Sequence, residues 1–263
     1  MKKYTFIDLF SGPGGLCTGF ISEGFVPRIA VEWSDTTVIT YAKSHNAEIY
    51  ELTNLLANIG KLENILQKTE NTCLIHGDLN KVSNELIREI LQKKFNEDTV
   101  DVVTGGAPCE SFSMAGKRLE DDDRNDLFSN ILRIGHAVEA KFVLFENVPG
   151  LLTKKRNGKK GGQIDYVFQE FERPNEKTGD FYKLASKNVN DFKCVASDYG
   201  TPQKRERIFI VGCNSKYGDN TFVYPEKTHG PGRKYPYVTV EDAFRYLPEI
   251  HSGEGAETLP YHP

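Results

Sequence analysis

The chain has 263 residues, 38% of them hydrophobic, and 33 Lys and Arg against 37 Asp and Glu give a formal charge of −4. That length holds one sizeable core and the beginning of a second, smaller lobe, and the charge excludes a globally basic nucleic-acid binder, so any such surface must be local. Five cysteines, widely spaced and never in a CxxC pair, argue against a disulfide framework and a zinc site and fit a reduced, cytoplasmic setting.

The first apolar run is broken by Asp8 and then by Gly12, Gly14 and Gly15, so it is not a signal peptide. No stretch approaches the roughly 18 apolar residues of a membrane span. In chain order, YTFIDLF (4–10), PRIAVEW (27–33), CLIHG (73–77), VDVVTGG (100–106), KFVLFENV (141–148) and RIFIVGC (207–213) read as strands buried on both faces. Between the second and third, residues 45–72 carry Leu52, Leu55, Leu56, Ile59, Leu62, Ile65 and Leu66 at helical spacing, which predicts helical cover. DLFSNILRIGHAVEA (126–140) is the clearest helix, with Leu127, Ile131, Ile134 and Val138 on one side behind an Asp126 cap. This alternation predicts an α/β fold, a doubly wound and mostly parallel sheet with right-handed crossovers. From Pro225 the texture changes to Pro, Gly, His and Tyr, relieved by a short helical VEDAFRYL (240–247).

The first strand runs into FSGPGGLCTG, a Gly-rich turn of Gly12, Pro13, Gly14 and Gly15 that lets backbone approach a ligand and leaves helix N-terminal amides free. Its spacing is not that of dinucleotide binders, and such turns also occur for conformational reasons alone. Glu32, at the end of the second strand, suits a pair of ribose hydroxyls. Asp78 after the third suits an adenine amino group or a helix cap, and Phe10 and Trp33 suit adenine walls or the core. Together these residues at successive strand ends favour a nucleoside cofactor.

Cys109 follows a Gly-Gly-Ala-Pro turn at the end of the fourth strand, the edge where open α/β sheets bind ligands. A lone cysteine is commonly a small buried hydrophobe, but Pro108 ahead of it and the polar ESFS behind it suit a surface loop. The fifth strand ends in Glu146 and Asn147 at the same edge, placing a carboxyl acid beside the thiol. YGTPQKRERIFIVG predicts a strand with Gln203, Arg205 and Arg207 alternating to one face, either for anionic or carbonyl groups or as a charged edge. The basic TKKRNGKK (153–160) is a solvated loop or a contact to phosphates.

DLFSGPGG, VEW, GDL, GGAPCESFS, DDDRNDLFSNILRI, FENVPGLL and DYGTPQKRERIFIVG, in this order from residue 4 to about 213, make the chain resemble a DNA (cytosine-5)-methyltransferase of the bacterial restriction-modification type. The resemblance implies a Rossmann-like methyltransferase fold and S-adenosylmethionine held by Phe10, Gly12, Pro13, Gly14, Gly15, Glu32, Trp33, Asp78 and Leu79, with Pro108 and Leu127 on the methionine side. It implies a cytosine flipped out of double-stranded DNA, with Cys109 adding to C6, Glu146 at N3 and N4, and Arg205 at O2. Gln203, Arg207 and Asn147 would support the Cys109 loop, which Arg124 helps to order.

On that reading residues 1–224 form the catalytic and cofactor-binding domain and 225–263 open a DNA-recognition lobe, truncated or supplied by a second polypeptide; otherwise a monomer is expected. Glu110 stands where the family usually has Gln, an acidic group near a phosphate-rich substrate. A tRNA cytosine-5 methyltransferase and a non-catalytic scaffold subunit are the rival readings. A dehydrogenase would leave APCESFS unexplained.

Overall fold

Strands form where β-branched and aromatic residues run on without polar interruption, and each of the six sequence-predicted runs is a strand in the computed structural model, which describes residues 3–107, 127–218 and 221–249. In chain order the first half is β1 (Thr5–Leu9), α1 (Gly15–Ser22), β2 (Val26–Glu32), α2 (Asp35–His45), β3 (Glu48–Glu51), α3 (Leu52–Ala57), β4 (Cys73–His76), α4 (Asn84–Ile90) and β5 (Val102–Gly105). The second half is α5 (Ser129–Ala137), β6 (Phe142–Asn147), β7 (Lys155–Arg156), β8 (Lys159–Lys160), α6 (Gly162–Phe171), β9 (Tyr182–Leu184), α7 (Val189–Phe192), β10 (Lys193–Val195), β11 (Glu206–Asn214) and α8 (Val240–Phe244).

Among the described residues the main sheet has nine strands in the order β10-β11-β6-β5-β1-β2-β4-β3, with β9 also paired to β11. The pairings from β3 to β6 are parallel, whereas β11 runs antiparallel to β6, β9 and β10. Side chains alternate between two covered faces. Ile7, Leu9, Val31, Ile75, Val103 and Phe145 pack with α4, α5 and α6 in the larger core, and Phe6, Ala30, Leu74 and Val102 pack with Cys17 of α1 and Val38 and Tyr41 of α2 in the smaller one.

Three sequence-predicted elements differ. Residues 45–72 include an edge strand, β3, beside β4. Tyr50 is 8% exposed and Ile49 43%, a period-two signal too short to show inside a leucine-rich stretch. Helix α5 starts at Ser129 rather than at 126, because Leu127 and Phe128 form a tight turn in which their carbonyls accept from Asn130 and Ile131 at 3.2 and 2.9 Å; Asp126 lies outside the described residues. Strand β11 starts at Glu206, because the amides of Gln203 and Arg205 close turns onto Thr201 and Gln203 at 2.8 and 3.0 Å after Pro202. Gln203 therefore does not share a strand face with Arg207.

Beyond β11 the chain folds back over it. The Tyr224 hydroxyl accepts from the Val211 amide at 3.3 Å and donates to the Phe209 carbonyl at 2.8 Å. The amides of Thr228 and His229 both donate to the Asp198 carbonyl at 3.0 Å. Helix α8 carries a capping box at Thr239 and Asp242 and leaves Val240 and Phe244 exposed.

Ile131 of α5 is 1% exposed in the larger core, so Ile131→Ala should cost about 2–5 kcal/mol of stability. Urea unfolding measures this; a loss below about 1 kcal/mol would mean that α5 does not carry the core.

Candidate active site

The strand order reverses between β1 and β5: the chain steps outward through β2 and β4 on one side and through β6 on the other. The C-terminal edge of an open parallel sheet at such a reversal is where a crevice for ligands lies. The Gly-rich turn forms one wall. Phe10 takes a left-handed backbone at φ 55, followed by Gly12 at 53 and Gly14 at 94. A left-handed non-glycine costs energy that the surrounding structure must offset. The offset is visible in Glu32, only 7% exposed, whose two carboxylate oxygens accept from the amides of Gly12 at 2.8 Å and Ser34 at 3.0 Å. Gly14 has no room for a side chain, since a Cβ would meet the His45 ring at 2.1 Å.

A cavity of about 840 Å³ extends from this wall across the face of β6 and β11. Phe10, Gly12, Pro13 and Gly15 border it on the turn side, and Glu146, Arg205 and Arg207 on the other. Between them Leu144, Phe209 and Val211 form an apolar floor. The size is within the usual range for small-molecule sites.

Glu146 and Asn147, adjacent at the end of β6, point to opposite sides of the sheet. The Glu146 carboxylate pairs with Arg207 Nε at 2.8 Å. Burial pushes its pKa up and the charges of Arg207 and Arg205 pull it back, the net direction being upward from the ordinary carboxylate value. Asn147 is 1% exposed, donates its side-chain amide to the Ala107 carbonyl at 3.4 Å and accepts from the Val148 amide at 2.8 Å. It thereby holds Ala107, the last described residue before Pro108 and Cys109 in the sequence. Those two residues, with Glu110 and Arg124, lie outside the described residues. Gly106 faces the carboxylate so closely that an added Cβ would meet Glu146 Oε2 at 2.8 Å.

The remaining candidates stand apart from the cavity. Trp33 is 73% exposed, and its carbonyl lies 3.3 Å from His76 Nε2. Exposed Asp78 caps the next turn by accepting from the Asn80 amide at 3.0 Å. Leu79 is buried at 4% exposure, Leu127 packs half-buried against the larger core, and Gln203 is exposed in its turn. Within the basic stretch 153–160, residues 155–160 form a hairpin of β7 and β8 with Lys155 opposite Lys160.

Several cavity residues escaped the sequence reading. Cys194, Phe222 and Tyr224 reach it from segments with no motif, and Tyr199 from the start of the segment that carries Arg205 and Arg207. Asp8 and Ser11 also border it. The Asp8 carboxyl, 1% exposed, has its Oδ2 without a hydrogen-bond partner among the described residues, as do the hydroxyls of Ser11 and Thr104. The signal for Asp8 was a charge in the middle of an otherwise apolar strand, where it served only to exclude a signal peptide.

Against known proteins, a family profile described as C-5 cytosine-specific DNA methylase matches residues 4–67 and 65–254. The chain is 35% identical to the type II methyltransferase M.AquIA of Picosynechococcus over 254 residues, covering 92% of this chain and 88% of that protein. It is 34% identical to the type II methyltransferase M1.HphI of Haemophilus parahaemolyticus, covering 97% of this chain and 56% of the relative. For M.DdeI of Desulfomicrobium norvegicum the identity is 31%, over 97% of this chain and 51% of the relative. The chain thus spans most of the first relative and about half of the other two. A crystal structure described as a DNA modification methyltransferase encoded within an E. coli prophage superposes with a TM-score of 0.61 at 27% identity, over 94% of this chain and 56% of that one.

Removing the positive partner of Glu146 should free its burial to act alone. Arg207→Met is expected to move the Glu146 carboxyl pKa further upward in a carbon-13 NMR titration; an unmoved or lowered value would contradict the pairing.

Proposed function

The chain belongs to the C-5 cytosine-specific DNA methylase family, and from that premise we propose that it methylates C5 of a cytosine flipped out of duplex DNA through a covalent adduct of Cys109 with C6. The observation that carries this reading is the single cavity bordered by the Gly-rich turn on one side and by Glu146, Arg205 and Arg207 on the other. The apolar floor, the left-handed turn and the orphaned Asp8 oxygen fit a nucleoside bearing a cationic amino-acid end. S-adenosylmethionine has that chemistry, and when bound it supplies an electrophilic methyl group on a sulfonium.

C5 and C6 are shielded inside the base stack, so the base must leave the duplex first. C5 of cytosine is a poor nucleophile until electrons are pushed into the ring. The Cys109 thiolate does this by bonding to C6, and the displaced electron pair moves toward N3. Glu146, whose pKa is raised, is suited to deliver a proton at N3 as that charge arrives. After C5 has taken the methyl group, loss of the C5 proton returns an electron pair to the ring and expels Cys109 as thiolate. Arg205 serves the O2 edge, Arg207 fixes Glu146, and Asn147 holds the loop through Ala107.

Phe10, Gly12, Pro13, Gly14 and Gly15 hold the cofactor's backbone-facing side, with Glu32 securing the turn and Trp33, Asp78 and Leu79 on the adenosine side. Pro108 and Leu127 close the methionine side, and Gln203 supports the loop. The segment from 225 begins the DNA-recognition lobe, supported by its exposed Val240, Phe244 and Tyr246 and by the length of the relatives. The enzyme acts in the cytoplasm on double-stranded DNA as the modification half of a restriction-modification system, in keeping with its type II relatives. No helix among the described residues is long and apolar enough to cross a membrane.

The test is transfer of labelled methyl from S-adenosylmethionine to unmethylated duplex DNA and to unmodified tRNA, with and without the neighbouring encoded polypeptide. Incorporation into DNA is expected, abolished by Cys109→Ser and lowered about 100-fold or more by Glu146→Gln. Full transfer by Cys109→Ser would overturn the adduct, and transfer to tRNA alone would overturn the DNA substrate.

A further inference from the structure

The cavity leaves the basic stretch that follows β6 without a task. Strand β6 ends at Asn147, a turn over Pro149–Thr153 follows, and Leu151 anchors that turn at 0% exposure in the larger core. Lys155 therefore stands at the edge of the sheet where Glu146 lies, within roughly 25 Å of it by the reach of the chain. From there β7 and β8 pair as a hairpin. Its two-residue loop, Asn157 at φ 51 and Gly158 at φ 74, is the doubly left-handed turn that matches the twist of hairpin strands. The turn fixes the register, which sets Lys155 opposite Lys160 and Arg156 opposite Lys159.

Like charges that face each other across a strand pair are unfavourable, and two strands by themselves are marginal in water. Alternation assigns the two pairs to opposite faces of the hairpin. One face is answered by α6. The Arg156 guanidinium lies 3.7 Å from the centre of the Tyr166 ring and donates to Gln163 Oε1 at 3.2 Å, and the Lys159 ammonium pairs with Asp165 at 2.6 Å. The backbones also meet closely there, since a Cβ on Gly162 would lie 2.7 Å from the Arg156 carbonyl oxygen. The other face is not answered. Lys155 and Lys160 are exposed, and among the described residues their side chains have no ion pair or hydrogen bond. A hairpin held down on one face thus presents two adjacent ammonium groups on the other, with nothing of its own to neutralise them.

We propose that this face is a phosphate grip, in which Lys155 and Lys160 take two phosphates of the double-stranded DNA backbone beside the flipped cytosine. The proposal rests on the DNA reading above and adds a contact surface to it. With a formal charge of −4, the protein does not draw a polyanion by its net charge, so the attraction has to be local. An ammonium is a compact point charge that suits phosphate oxygens, and contacts to the backbone position a duplex without reading its bases. The pair therefore sets where the DNA lies over the cavity and contributes nothing to the choice of sequence. Two bound phosphates also offset the repulsion between the lysines, which the protein bears when DNA is absent.

The test compares the native chain with Lys155→Gln/Lys160→Gln, each together with the neighbouring encoded polypeptide. Fluorescence anisotropy follows binding to labelled duplexes of several sequences from about 50 to 200 mM salt. Each lost phosphate contact lowers the slope of log affinity against log salt by about 0.9, so the double variant should lose about 1.8, and lose it alike on every sequence. In methyl transfer the KM for DNA should rise about tenfold at the lower salt, with kcat and the KM for S-adenosylmethionine retained. Because the variant removes a repulsion, its thermal unfolding midpoint should not fall. Lys159→Gln, on the face turned to α6, should keep the native slope. An unchanged slope in the double variant, or an equal loss from Lys159→Gln, overturns the proposal alone. A loss confined to one sequence would make the lysines base readers and also overturns it. Binding of tRNA by the native protein with no binding of duplex DNA overturns the DNA reading and the proposal with it.

Discussion

The reversal of strand order between β1 and β5 is the constraint on which the rest of this structure depends. Parallel strands require crossovers, and crossovers of one hand put their loops on opposite sides of the point where the order turns. The C-terminal ends of β1 and β5 meet at that point, and the ends of β2 and β6 flank them. Glu32 and Glu146 occupy those flanking ends, each bonded to a group on the neighbouring segment. The topology determines which residues meet, and the sequence has placed its chemistry at those positions.

Two carboxyl groups border one cavity, and burial raises both. They differ in what answers the burial. Glu146 has two guanidinium groups near it, which hold the shift in check and fix the carboxylate by an ion pair of 2.8 Å. Asp8 has a second acid as its charged neighbour, so the shift is compounded. Pairs of titratable groups pushed by different surroundings are a usual way for one site to hold distinct proton tasks at one pH. Here the two carboxyls lie at different parts of the cavity, Glu146 beside Arg205 and Arg207 and Asp8 by the Gly-rich turn.

The strands of the sheet were legible because a strand buried on both faces is a continuous apolar run, and six such runs became β1, β2, β4, β5, β6 and β11. Their edges were less so. Strand β3 has only four residues and announces itself by one inward Tyr50, which a leucine-rich helical pattern conceals. Gln203 seemed to alternate with Arg207 because period two was counted through Pro202 and its turn, where no strand is present. Of the residues expected at or beside strand ends, Phe10, Glu146 and Arg205 border the cavity and Glu32 holds the Gly-rich turn beside it. Asp8, Cys194 and Tyr224 reach the cavity by pairing and packing across the sheet, which no local pattern encodes.

The central claim is that Cys109 bonds to cytosine beside Glu146. Duplex DNA in which 5-fluorocytosine replaces cytosine tests it without knowledge of the recognition sequence, because fluorine at C5 leaves no proton whose loss could expel the thiol. With S-adenosylmethionine present, the account predicts a protein–DNA complex that survives denaturation, with the linkage mapped by peptide mass spectrometry to Cys109. Methyl transfer to ordinary DNA without such a complex, or a linkage at another residue, would contradict it.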